Sequence, residues 1–335
     1  MRIGVTYDLR SEYLALGMSE EDTAEFDAEI TISSICRALS ALGHVPVRIG
    51  NLFALTQRLA EGERWDAVFN ICEGLNGFAR EAQVPCLLEG FGIPCVFSDA
   101  LTLAVSLDKA WTKRILRDAG IPTAPFAVVQ RAADLASIGL PYPLFVKPVG
   151  EGSGKGVNAQ SRVNNPAELR RAAIDVMERF SQPALVEIYL PGREFTVGIT
   201  GTGDDARVLG VIEIAPTANA AGIHYGYENK ENCDDNITYR LVEDAEAITA
   251  ADVALNAWRV LRCRDGGRID IRNDAAGKPQ FVEVNPLAGL NPEHSDLCFL
   301  AAFRGYSYQQ LIGMILDSFL KRHPALVPSA ESCAA

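Results

Sequence analysis

The residues with most to offer chemically lie in one short stretch, RIDIRNDAAGKPQFVEVNP, from Arg268 to Pro286. Arg268, Asp270 and Arg272 alternate with Ile269 and Ile271, and Glu283 and Asn285 alternate with Val282 and Val284, so each half predicts a strand with one polar face. Turn residues between Asn273 and Pro279 predict a hairpin that brings Asp270, Glu283 and Asn285 to one side. Two carboxylates and an amide oxygen crowded together repel unless a cation lies among them. An oxygen-only set suits Mg²⁺, which completes its shell with waters and substrate phosphates. An exposed ribbon whose polar face meets water would show the same alternation, so the reading depends on what else the chain carries.

A second signal is LFVKPVGEGSGKGV, where an apolar strand ends in Lys147 and enters a loop with Gly150, Gly152, Gly154 and Gly156. Such a loop offers backbone N–H groups to phosphate oxygens, and Lys147 stands where it could reach one. It is neither a Walker A loop, because Gly156 follows Lys155, nor a G-x-G-x-x-G fingerprint. A flexible connector would read alike. Lys109, in SLDK, is a further phosphate candidate. In LVEIYLPGREFTVGI, Glu187 and Leu190 precede a Pro-Gly turn and Glu194 follows it, an arrangement able to present backbone groups to a base and a carboxylate to a ribose. Alone it reads as any hairpin.

The elements that must hold these residues follow from periodicity. A strand is predicted over Ile3 to Tyr7, a helix from about Phe26 to Leu42 closed by Gly43, a buried strand over Trp65 to Ile71, a helix to about Phe91, and an apolar piece over Ile93 to Phe97. This alternation predicts an α/β layer with a parallel sheet. A helix over Leu107 to Ala119, strand Leu144 to Lys147, helix Pro166 to Phe180 and strand Leu185 to Tyr189 predict a second, α+β part. Beyond it come a hairpin around Pro191 and Gly192, a polar loop near Ala218 to Asn236, helix Ala250 to Leu261, the hairpin Gly267 to Asn285 and a helix over Tyr308 to Leu320. A length of 335 residues fits two or three domains at roughly 100–200 residues each.

Composition removes several classes. A formal charge of −12 leaves no basic stripe for a nucleic-acid backbone. No run reaches the roughly 20 apolar residues of a bilayer span, and MRIGVTYD lacks a signal peptide's pattern, so a cytoplasmic protein without membrane partners is expected. Eight cysteines without a C-x-x-C pair argue against zinc or a disulfide framework. There is no G-x-S-x-G elbow for a hydrolase, and MRIGVTYDLRSEY offers only Gly4 where a dinucleotide fold needs a glycine fingerprint straight after the first strand.

Taken in order, SLDK, KPVGEGSGKG, VEIYLPGREFTV, YENK, RIDIR and FVEVNPLAGL resemble the ATP-grasp superfamily, and within it the D-alanine–D-alanine ligase branch, over about Gly74 to Leu320. The resemblance implies an ATP-grasp fold: an N-terminal parallel-sheet domain on the substrate side over 1–100, a central subdomain over 101–185, a C-terminal subdomain with the metal and catalytic site over 186–322, and a tail over 323–335. It implies an ATP-dependent ligase working on small amino-acid substrates through an acyl phosphate, with two Mg²⁺ ions, or Mn²⁺ in their place, and a homodimer. Lys109 and Lys147 would meet the phosphates, Gly152, Ser153 and Gly154 would cover them, and Glu187, Leu190 and Glu194 would hold adenosine. Lys230 matches a mobile-loop lysine at the terminal phosphate, in a segment His224 to Asn236 that would close as a lid. Asp270, Glu283 and Asn285 match the metal ligands. Arg268 and the Gly289 N–H match the oxyanion pair, with Ser153 beside the catalytic group.

The resemblance weakens on the substrate side. Glu29 is the nearest equivalent of the family's first-substrate glutamate, Glu73 and Arg80 stand in an altered loop, and Glu231 replaces a tyrosine after the loop lysine. Ser295, one residue out of register, and His294 compete for a substrate carboxylate. A ligase for another amino acid or peptide, including one that cyclises its substrate, therefore stays open beside the family reaction. So does a module that binds ATP without turnover.

Overall fold

The computed structural model describes residues 1–152, 154–216 and 237–327. Its first layer is a parallel sheet in the order β2 (Val45–Gly50), β1 (Arg2–Tyr7), β3 (Ala67–Ile71), β4 (Cys95–Val96). β1 and β3 are buried almost throughout, as central parallel strands covered on both faces must be. Helix α1 (Arg10–Ala15) follows β1, and α2 (Glu29–Ala41), α3 (Leu52–Ala60) and α4 (Gln83–Gly90) flank the sheet. The predicted start of α2 at Phe26 was too early. Asp27 N–H donates to the Asp8 carbonyl at 3.0 Å and its own carbonyl accepts from Arg10 at 2.9 Å, which holds that segment extended before the helix begins.

The helix predicted over Leu107 to Ala119 forms over Lys109–Asp118, and a helix that was not predicted precedes it. Helix α5 (Ala100–Leu107) stops at Asp108, whose extended backbone and carboxylate cap α6 (Lys109–Asp118) by accepting from Ala110 and Trp111 N–H at 2.9 Å each. The break places Lys109 in the first turn of α6.

Next comes an antiparallel sheet ordered β5 (Phe126–Val129), β8 (Ala184–Ile188), β6 (Leu144–Pro148), β7 (Arg162–Val163), backed by α7 (Pro166–Phe180). Asn165 caps α7 through Glu168 N–H, and Pro166 occupies its first position, where no N–H is needed. A second antiparallel sheet runs β11 (Ile237–Leu241), β10 (Arg207–Pro216), β9 (Glu194–Thr200), β12 (Gly266–Asn273), β13 (Pro279–Asn285). Helix α8 (Ala245–Val260) packs its alanines and Trp258 on one face against Val197, Ile199, Ile269 and Ile271. On the other face, Leu209 and Ile212 join α9 (Asp296–Phe303) and α10 (Tyr308–Arg322) in the core that continues into the first sheet.

The expected hairpin around Pro191 and Gly192 is not one. β8 and β9 lie in different sheets, and the Pro-Gly segment carries the chain between them. A methyl at Gly192 would sit 2.6 Å from the Asn273 carbonyl oxygen, so glycine lets this crossing lie against the β12–β13 turn. The hairpin β12–β13 forms as expected, with a bulge: Asp270 pairs with Glu283 and Ile271 with Phe281, leaving Val282 over. Val282, expected on the buried face with Val284, is turned toward the cleft between the two antiparallel sheets instead.

Candidate active site

That cleft has a volume of about 110 Å³, and its walls come from both antiparallel sheets. Lys147, at the end of β6, and Glu187, on β8, are both buried, their charged groups 2.9 Å apart. Lys113, on α6, reaches the same carboxylate at 2.8 Å and also donates to Thr123 Oγ1 at 2.9 Å. Burial alone would raise the Glu187 carboxyl, but the two ammonium groups overcome it and hold it at about 2. Burial would likewise depress Lys147, and Glu187 with Glu283 reverses this, so Lys147 keeps its charge at the cleft wall. One end of the cleft is apolar, with Phe145, Ile188, Leu190, Ile214 and Val282, and Glu194 is paired there with Arg272 at 3.0 Å.

The glycine-rich loop closes the cleft's other side. Gly154 lines it at φ +73° and Lys155, not singled out from sequence, stands beside it, 2.9 Å from Glu151. Two of the loop N–H groups are engaged by side chains: Gly150 donates to Gln182 at 3.0 Å and Gly152 to Glu25 at 2.7 Å. Ser153, Lys230, Glu231 and the predicted lid lie outside the described residues.

Where the cleft deepens, β12 and β13 deliver the polar hairpin face. Asp270 stands opposite Glu283, and Arg268 opposite Asn285. Asp270 accepts from Thr196 Oγ1 at 2.8 Å and from Arg268 at 2.8 and 3.0 Å, while Arg268 reaches on to Asp296 at 3.1 Å. Lys109 lies 3.4 Å from Glu283 and also donates to the Glu151 carbonyl. Among the described residues the Asn285 amide nitrogen is buried without a hydrogen-bond partner, a polar position with capacity to spare. Among the described residues no three of His, Cys, Asp and Glu converge as a self-sufficient metal cage. Two facing carboxylates with an amide next to them fit an ion that keeps water and phosphate in its shell, as Mg²⁺ does.

Lys109 and Glu283 also line a second cavity, beside Arg268, Asn285 and Gly289, whose opposite wall is Glu25, Glu73 and Glu81. Burial lifts the Glu73 carboxyl well above the ordinary range, with Glu81 and Glu25 adding to it, and lifts Glu81 to about 7 despite Arg80 and Lys109. Arg80 is committed to Glu25 at 2.9 Å and to the Gly150 carbonyl at 2.9 Å, tying the glycine-rich loop to the first layer.

Glu29, expected near the first substrate, is not there. It begins α2 on the surface, where Arg48 takes both carboxylate oxygens at 2.8 and 2.6 Å. Glu25, four residues earlier, occupies the cavity instead. Neither Ser295 nor His294 lines the cavity: Ser295 rests against Gly289, close enough that a methyl there would meet its Oγ at 2.8 Å, and His294 is exposed. Sequence reasoning also missed Lys113, although it follows Lys109 by four residues and must share its helix face. Glu25 gave no signal, being an acidic residue in acidic surroundings, and Glu81 stood out in sequence only as part of an altered loop.

The two antiparallel sheets closing on a polar cleft, beside a parallel-sheet layer, define an ATP-grasp protein. The crystal structure of D-alanine–D-alanine ligase from Bacillus anthracis complexed with ATP has the same fold, with a TM-score of 0.73 over 97% of this chain and 99% of that one at 24% identity. Residues 115–317 match the family model for the D-ala D-ala ligase C-terminus. The D-alanine–D-alanine ligase of Gluconobacter oxydans is 34% identical over 290 residues, 85% of this chain and 91% of that one. An uncharacterized protein, y4sG, of Sinorhizobium fredii is 32% identical over 264 residues, 76% and 75% of the two chains. The chain belongs to the D-alanine–D-alanine ligase family, and it is an ATP-dependent ligase that forms a carbon–nitrogen bond. No helix among the described residues is long and apolar enough to cross a membrane.

Proposed function

We propose that this chain phosphorylates the carboxylate of one amino acid with ATP and joins the resulting acyl phosphate to the amine of a second, releasing ADP and phosphate. One observation carries the reading: Lys109 and Glu283 line both the cleft between the antiparallel sheets and the acid-walled cavity, so a nucleotide's terminal phosphate and a substrate carboxylate would meet at the same residues. Adenine would lie against the apolar end, with Glu187 and Glu194 toward adenosine. Lys147 and Lys109, with Lys230 from its loop, would offset phosphate charge. Asp270, Glu283 and Asn285 would hold magnesium, which offsets charge on the transferring phosphoryl group. Arg268, oriented by Asp270 and Asp296, and the Gly289 N–H would stabilise the oxyanion formed when the amine attacks. Such an enzyme draws on cytoplasmic ATP, and we place it there.

The relatives' names point to D-alanine. The displaced Glu29 and the extra glutamates favour a different amino acid in at least one position. Asp270→Asn and Glu283→Gln test the assignment. Amino-acid-dependent ADP release should fall by about 100-fold or more, the scale seen when one group stabilising transition-state charge is removed, with nucleotide binding retained through Lys147. Undiminished turnover in either variant rejects the metal assignment.

A further inference from the structure

The wall of the second cavity carries more carboxyl groups than a neutral amino acid would use. Glu81 is nine-tenths buried, Glu73 stands beside it on the same wall, and neither has a hydrogen bond or ion pair among the described residues. The nearest cations among the described residues are spoken for. Arg80 is tied to Glu25 and the Gly150 carbonyl, Lys109 lies against Glu283, and Arg268 is held between Asp270 and Asp296. A buried carboxylate without a partner is costly unless a cation arrives or a proton neutralises it.

The cation that fits is organic. Among the described residues no third acidic, histidine or cysteine ligand closes on this pair to hold a metal ion. The cavity opens instead onto Arg268, Gly289 and Asn285, where the preceding reading puts the reacting carboxylate. A zwitterionic amino acid seated there brings one ammonium group and so satisfies one of the two glutamates. The other would stay without a partner in the cavity wall.

We infer that the amino acid bound in this cavity carries a second ammonium group, on its side chain, and that Glu73 and Glu81 divide the two ammonium groups between them. The substrate class is thus a diamino acid. The inference rests on the ligase reading and adds its specificity. The rise of Glu81 to about 7 agrees with a site that holds a proton until a cationic ligand replaces it.

The test uses the full chain with Mg-ATP and matched pairs in both configurations: lysine against norleucine, ornithine against norvaline, 2,4-diaminobutyrate against 2-aminobutyrate. ADP release and product mass are read together. The expected result is a kcat/KM for at least one diamino acid roughly 10- to 100-fold above its neutral partner, the worth of one charge-assisted hydrogen bond. Glu81→Gln should erase that ratio, with Glu73→Gln as the second variant if the first fails to fold. Preference for the neutral member of every pair overturns the inference and leaves the ligase reading intact, as does a preference that survives both substitutions. Silence with every amino acid from folded protein overturns the ligase reading, and the inference falls with it.

Discussion

Lys113 shows how much of this site is set by one residue that touches nothing in the open cleft. It is fully buried, yet its ammonium group, together with Lys147, fixes Glu187 and thereby the charge at the cleft wall. Lys113→Met leaves Glu187 with a single partner in a dry setting. We predict a loss of about 3 kcal/mol, at the lower end of the cost of breaking a buried ion pair because Lys147 remains; chemical denaturation would measure it. The pH dependence has a definite sign. Because Glu187 is held at about 2 when folded, below its usual value near 4.5, its contribution is complete above that usual value and is lost as pH falls toward 2. Stability curves of the parent and Lys113→Met should therefore converge on acidification through that window. A constant gap would show that Lys113 acts through packing alone.

Among the elements, the β12–β13 hairpin was the most legible, because period-two alternation across two runs of charged and β-branched residues fits little besides a pair of half-buried strands. Its bulge was not legible, since a single extra residue is chosen by pairing with the neighbouring strand, and that choice turns Val282 to the cleft. The Pro-Gly crossing was misread for a related reason: a strand, a turn and a strand look alike in sequence whether the strands pair or part into different sheets. Helix α5 was visible in principle, because Asp99 ahead of the run Ala100 to Leu107 is a cap signal, but a short, nearly continuous apolar run carries little helical period. Glu29 was drawn to the substrate by resemblance, and only the fold shows Arg48 taking it. The hairpin's position depends on Gly267, where a methyl group would lie 2.5 Å from the Asn285 carbonyl oxygen and 2.8 Å from the Trp258 ring. We predict that Gly267→Ala costs about 1–3 kcal/mol, as overpacking does, and lowers kcat by moving Asn285. A thermal shift with unchanged kcat would mean that β13 relaxes without disturbing its polar face.

The molecule as a whole is joined by a buried carboxylate. Asp265, before β12, accepts from Phe97 N–H at 2.8 Å, Ser318 at 2.9 Å and Arg322 at 3.0 Å, so it binds the exit of the parallel sheet and α10 to the β12–β13 hairpin. Removing it leaves Arg322 and a buried N–H without their acceptor. We predict that Asp265→Ala destabilises the chain by about 3–5 kcal/mol and, in whatever protein stays folded, weakens amino-acid binding more than nucleotide binding, since Arg268, three residues further on, lines the acid-walled cavity and not the cleft between the antiparallel sheets. Equal losses in both would mean that the three sheets move as one body. The broad plan of a parallel layer and an α+β clamp was legible from element order. The route by which α9 and α10 return to pack on the first sheet was not, because it depends on contacts between residues at opposite ends of the chain.

The central claim is that the cleft and the cavity serve one reaction. It is tested most directly by following ADP, phosphate and ligated product together, in Mg-ATP, as the amino acid is varied. The account predicts one ADP and one phosphate for each new amide bond, no release without amino acid, and loss of all three signals in Asp270→Asn. Nucleotide binding with ADP release indifferent to every amino acid would contradict it.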